Sequence, residues 1–298
     1  MLCSCGRPVL LAESDADKKA IDDLKRQVKG QDGVTAELTK ARIEQLQAEV
    51  DAEKAYQAAI RRANASMIQS MANHATMRAI LGYTDEQLLR FVLDNGYGLA
   101  VSEFIDQADK IRDSVKRAFE VTAEDFSFSR IDLQVDTLQT ITTSAVFDDV
   151  VIPTVKGNIK EALRDLALDI PPQTIRSNLA QKLESASGRQ LTEIRTRISQ
   201  YGRSINSVAA KAAGLDHYLY TGPIDGITRG FCRELVNLVV NDKQMSRLNN
   251  GQGLSVITSG GGYNCRHSWS PVSAGFIKAA NLKKATSADI NQANARAE

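Results

Sequence analysis

Two cysteines and a histidine near the C-terminal end of this chain are the residues best suited to chemistry. Cys232 closes the run Asp225-Gly226-Ile227-Thr228-Arg229-Gly230-Phe231-Cys232, and Cys265 and His267 lie in Asn264-Cys265-Arg266-His267-Ser268-Trp269. Gly222-Pro223 precedes the first block and Gly260-Gly261-Gly262 the second. Thiolate and imidazole are ligands that suit zinc, so Cys232, Cys265 and His267 are candidate metal ligands. A fourth ligand would come from Asp225, Asp242, Asn264 or water. Neither cysteine has the C-x2-C knuckle of common structural zinc sites, and three protein ligands fall short of the usual four. The competing reading makes both cysteines small buried hydrophobes, or a mutual pair, with His267 a hydrogen-bonded core residue. On that reading no cofactor is expected. A third chemistry sets Cys232 as nucleophile, His267 as base and Asp225 as orienter.

All three readings require the blocks to meet. Turns of the Gly-Pro and triple-glycine type return flanking segments over a core. We therefore expect Cys232 and Cys265 to lie close together, with Trp269 and Phe231 filling the space between the blocks. Asp225, Thr228, Arg229, Asn264, Arg266 and Trp269 are expected to play structural parts. A guanidinium can hold carboxylates and carbonyls in pairs, and Asp225 is placed to N-cap a helix starting near Ile227.

The order Thr-Arg-x-Phe-Cys followed by Tyr-Asn-Cys-Arg-His-x-Trp-x-Pro resembles the C-terminal motif of phage Mu F-like minor head proteins, the head morphogenesis proteins of tailed phages. Asp225, Thr228, Arg229 and Cys232 match its first segment, and Asn264, Cys265, Arg266 and His267 its second. The chain departs from the commoner pattern in having His267 rather than Cys, and Gly261-Gly262-Tyr263 where a Pro-rich approach is frequent. The resemblance covers residues 170–272. It implies a minor structural protein of the virion, at the portal vertex or inner capsid surface, made in the host cytoplasm and acting in head assembly or DNA delivery. Portal protein or major capsid protein would be the partner, with packaged DNA as a further candidate and several copies per virion. Two alternatives stand beside it: a DNA-binding head protein that travels with the genome, and a metal-dependent enzyme or toxin-like domain.

Composition is compatible with a structural role. The 298 residues are 43% hydrophobic, 24% charged and only 5% aromatic, and the net charge is +1. That balance exerts no strong pull on nucleic acid or anionic membranes. No run of about 18 apolar residues occurs, so no membrane span is expected. Sequence signatures of common hydrolases, metalloproteases and P-loop enzymes are absent, so no enzyme is expected. Cys3 and Cys5 read as free thiols in an N-terminal arm.

The fold class expected is α+β and predominantly helical: long N-terminal helices, then a small α+β C-terminal Mu F-like domain. Expected segments are an arm (1–32), a helical domain (33–121), a connecting segment (122–152), the C-terminal domain (153–275) and a polar tail (276–298). Residues 35–80 run almost unbroken in helix formers and predict one rod of about 45 residues, roughly 65 Å long at 1.5 Å per residue. Its stripe of Ile43, Leu46 and Val50 exceeds what a small core covers and is read as a partner-contact face, with Glu49 and Glu53 on the solvated side. Thr84 and Gln87 predict a capping box. Phe126, Phe128, Ile131, Leu133 and Val135 alternate with polar residues as in a strand. Val150 to Pro153 read as a linker. Two helices are expected over 174–185 and 190–213, split near Gly188. Arg195, Arg197, Arg203 and Lys211 could touch DNA phosphates, although such a set more often forms a solvated face. A strand over 217–220, a helix over 228–240, a strand at Val256-Ile257 and an exposed tail complete the reading.

Overall fold

The computed structural model describes residues 9–31, 33–122 and 126–297, so Cys3 and Cys5 lie outside the described residues. The chain is predominantly helical with one small mixed sheet. It divides into two compact units. Unit 1 comprises Met1–Val50, Asp109–Leu138 and Ile198–Glu298, and unit 2 comprises Asp51–Ala108 and Gln139–Arg197. The boundaries fall inside long helices.

The helices are α1 (Val9–Lys29), α2 (Gly33–Ser70), α3 (His74–Ile80), α4 (Asp85–Val92), α5 (Gly98–Thr122), α6 (Asp132–Val146), α7 (Ile152–Ala167) and α8 (Pro172–Ala212). The expected rod stops at Ser70, because the Asn73 side chain accepts from Ala75 N–H and caps a separate α3. The Thr84 and Gln87 side chains form a reciprocal capping box on α4. The 126–135 segment is not a strand. A single 3-10 turn over Phe128–Ile131 leads into α6, and Phe128, Ile131 and Val135 are buried at helical spacing while Leu133 is 78% exposed. Ile131 and Val135, four apart, fit both periods, but the spacing of three from Phe128 to Ile131 fits only a helix, and burial follows it. Pro153 is not in a linker but in the first turn of α7, where its missing N–H leaves nothing unpaired. Gly188 does not divide α8, which runs unbroken for 41 residues; a helix interior tolerates glycine at a cost of about 1 kcal/mol.

In unit 2, Tyr56 and Phe104 both meet Phe147 edge to face, with ring centroids 6.2 Å and 5.7 Å away. A widened turn over Leu93–Tyr97 carries Gly96 at φ +102°, where an added Cβ would sit 3.1 Å from Ala63 Cα. Asp85 pairs with Lys156 and with Lys160, the latter at 2.9 Å.

In unit 1, β1 (His217–Thr221), β2 (Leu238–Asn241), β3 (Ser268–Pro271) and β4 (Lys283–Lys284) form a sheet of order β3-β1-β2-β4. β1 lies antiparallel to both β2 and β3, and β4 runs parallel to β2. Tyr220 stands opposite Trp269 in the β1–β3 register. The short helices are α9 (Gly230–Leu235), α10 (Asp242–Met245), α11 (Val256–Ser259), α12 (Ala274–Ala279) and α13 (Ser287–Ala295). The helix expected over 228–240 therefore ends at Leu235 and gives way to β2, and Val256-Ile257 begin a helical turn rather than a strand.

Two further expectations fail in this unit. Residues 276–298 are not an exposed tail: Thr286 and Asp289 box the start of α13, Ile290 and Ala293 are fully buried, and Arg296 pairs with Glu234 at 2.7 Å. Nor is the α2 stripe left open for a partner. Leu46 and Val50 are buried, and Leu46 packs with Ala20, Ile21 and Leu24 of α1, with Ile43 at the margin.

Candidate functional site

The two motif blocks meet at one end of the sheet in unit 1. The Cys232 and Cys265 sulfurs are 3.8 Å apart, both free thiols. His267 Nδ1 lies 3.8 Å from Cys265 Sγ. All three residues are buried, and their ligand atoms lie within 4.8 Å of one another. Tyr220 Oη is 3.4 Å from Cys232 Sγ and 3.5 Å from Cys265 Sγ. Its ring stacks on His267 at 5.2 Å and tilts against Trp269 at 4.1 Å. Trp269 is 1% exposed and donates Nε1–H to Val256 O at 3.0 Å, in a cluster shared with Phe231, Leu235 and Ile290.

Three glycines bring backbone against these side chains. An added Cβ would lie 2.3 Å from the His267 ring at Gly222, 2.4 Å from Cys232 Sγ at Gly261, and 3.0 Å from both Cys265 Sγ and Tyr220 Oη at Gly260. The Gly261 N–H donates to Cys265 Sγ at 3.1 Å. Among the Asp, Cys and His candidates, Asp225 and Asp242 do not join the cluster.

The thiols are electrostatically unequal. The hydrogen bond between Cys232 and Cys265, together with burial, holds the Cys232 thiol far above its ordinary value. The same bond, helped by His267 and by the charge of Arg203 and opposed by burial, holds Cys265 well below its own. Cys265 is thus the more acidic thiol of the two. Burial first, then the two sulfurs, push the Tyr220 hydroxyl well above its usual value.

The remaining motif residues build the frame. Arg266 clamps Asp225 with two bonds of 2.6 Å and 2.9 Å. The Asp225 side chain accepts from Ile227 N–H at 3.1 Å and from the Thr228 hydroxyl at 2.9 Å. It closes a turn and does not cap α9, whose N-cap position is Arg229. Burial alone would raise the Asp225 pKa, but Arg266, Thr228 and the Ile227 N–H outweigh it and hold the carboxyl at about 2. Arg229 donates to Tyr263 O at 2.7 Å, tying the first block to the second. Asn264 sits at φ +54°, a left-handed conformation that Asn tolerates better than most residues.

Two supports were not recognised in the sequence. Arg203 of α8 donates to the carbonyls of Cys265, His267 and Thr258, and Arg42 of α2 donates to that of Arg266 at 2.7 Å. Both arginines are at most 2% exposed. Glu49 accepts from Arg42 at 3.2 Å and from the Ser199 hydroxyl at 2.7 Å. The polar rows Arg42, Gln45, Glu49 and Ser199, Arg203, Asn206 are buried at helical spacing on α2 and α8. Gly202 permits the close approach, since an added Cβ would lie 2.8 Å from Gln45 Nε2. Arg203 is therefore not a DNA-facing residue, and Glu49 is not on a solvated face. Within unit 2, Arg195 pairs with Glu53, Nε to Oε2 at 2.7 Å.

Buried soft donors suit structural metal binding or packing. No family model, curated protein or solved structure matches the chain.

Proposed function

We propose that this chain is a minor structural protein of a tailed-phage head, seated at the portal vertex or inner capsid surface and acting in head assembly or DNA delivery. The observation that carries the reading is the convergence of the two blocks. Segments that resemble one family motif, separated in sequence, form one interlocked core through Asp225–Arg266, Arg229–Tyr263 and Cys232–Cys265. A motif whose residues hold one another supports a structural role. Cys232, Cys265 and His267 are 1%, 4% and 2% exposed, which disfavours the nucleophile reading. Burial of Arg203 and the pairing of Arg195 remove two of the four cations offered for DNA contact, which disfavours a genome-bound protein.

A nonsense mutation of the gene, in a phage that encodes it, tests the role. Infectious heads should be lost while tails accumulate, and a plasmid copy should restore them. Normal yields of DNA-filled, infectious heads would overturn the proposal.

A further inference from the structure

We propose that Cys232, Cys265, His267 and Tyr220 form a four-donor zinc site, with the Tyr220 hydroxyl at the fourth corner. The inference is independent of the head-protein reading, because it rests on donor geometry alone and is tested on the purified chain.

Three ligands were legible in the sequence and a fourth was missing. The structure supplies it from β1. Zinc holds thiolate at about 2.3 Å and oxygen at about 2.0 Å in a tetrahedron, so two sulfurs should stand about 3.8 Å apart and a sulfur and an oxygen about 3.5 Å apart. The observed sulfur–sulfur separation is 3.8 Å, and the two Tyr220 Oη–sulfur separations are 3.4 Å and 3.5 Å. A sulfur and an imidazole nitrogen should stand about 3.6 Å apart, against 3.8 Å observed between Cys265 and His267. These distances are close to the edges of a coordination tetrahedron.

Tyr220 is placed for this role. The hydroxyl of the fully buried Tyr220 has the two sulfurs as its hydrogen-bond neighbours, so an ion at their centre would engage the three donors together. Charge also balances: two thiolates, a phenolate and a dication carry one net negative charge, and the Arg203 guanidinium stands against the Cys265 and His267 carbonyls. The Gly261 N–H on Cys265 Sγ is an outer-shell bond of the kind that orients metal-bound thiolates. The ion would join β1, α9 and the Cys265–His267 segment.

The full-length chain, purified under reducing conditions and stripped with a chelator, is titrated with zinc and in parallel with cobalt(II). Binding of one equivalent, a rise in Tm with zinc, and thiolate-to-cobalt charge transfer with strong four-coordinate visible bands are expected. Cys232→Ser should roughly halve the charge-transfer intensity. Tyr220→Phe, which keeps the ring and its stacking, should weaken cobalt binding at least about tenfold, the loss that even outer-shell groups cause, and should shift the visible bands. A wild-type chain that neither binds an equivalent nor gains Tm overturns the site, even if the variants do not fold. A folded Tyr220→Phe chain with unchanged affinity and spectrum overturns the fourth ligand. A Cys232–Cys265 disulfide in chain recovered from cells with thiols blocked also overturns it.

Discussion

Arg203, buried on α8, donates from Nε to the His267 carbonyl at 2.8 Å and so fixes the second motif block from beneath. The same guanidinium reaches the Cys265 and Thr258 carbonyls. Removing it leaves several buried acceptors without donors. Arg203→Ala should therefore cost about 3–5 kcal/mol, as when one partner of a buried charged network is deleted. Urea unfolding of the full chain measures this. A loss within about 0.5 kcal/mol, the range for surface positions, would contradict the buried role.

The Asp225–Arg266 clamp predicts a pH dependence with a definite sign. The folded carboxyl titrates at about 2, below an unfolded value of about 3.9. The clamp's stabilisation is thus fully present above the unfolded value and is lost as pH falls through the folded one. Melting curves of wild type and Asp225→Asn should differ most above about pH 4 and converge toward about pH 2. A constant difference across that window would contradict the ion pair.

Trp269 is a core residue and not a surface aromatic. Trp269→Ala removes a fully buried ring from between Tyr220 and Val256 and should cost about 3–5 kcal/mol in denaturant unfolding. Retention of the wild-type midpoint would contradict the packing.

Leu46 faces α1 within unit 1. Leu46→Asp should lower the stability of the isolated chain by about 3 kcal/mol or more, because an unpaired carboxylate replaces a buried side chain. An unchanged melt combined with loss of head assembly would restore the partner-contact reading of Ile43, Leu46 and Val50.

Residues with specialised chemistry were the legible part of this chain. Gly-Pro and triple-glycine turns, a lone Trp and two cysteines marked segments that do meet, and Thr84-x-x-Gln87 declared its capping box because both halves are local. The long-range supports were hidden. Arg42 and Arg203 resemble the many cations of charged helices, and only the helical recurrence of Arg42, Gln45 and Glu49, paired with Gly202 on α8, hinted at a buried polar seam. The 126–135 segment misled because Phe126–Phe128 and Ile131–Leu133–Val135 each alternate with polar residues, while the step of three from Phe128 to Ile131 breaks the alternation and fits a helix. The tail misled because α13 buries only two positions, Ile290 and Ala293, within a polar sequence. Tyr220 was unmarked because its partners come from three other segments.

The central claim is a place in the phage head, and quantitative mass spectrometry of purified proheads and DNA-filled virions tests it most directly. The account predicts the chain in both particles, in several copies and far below the major capsid protein, with cross-links to portal or capsid subunits. Its absence from both particles, while it accumulates free in infected cells, would contradict the account.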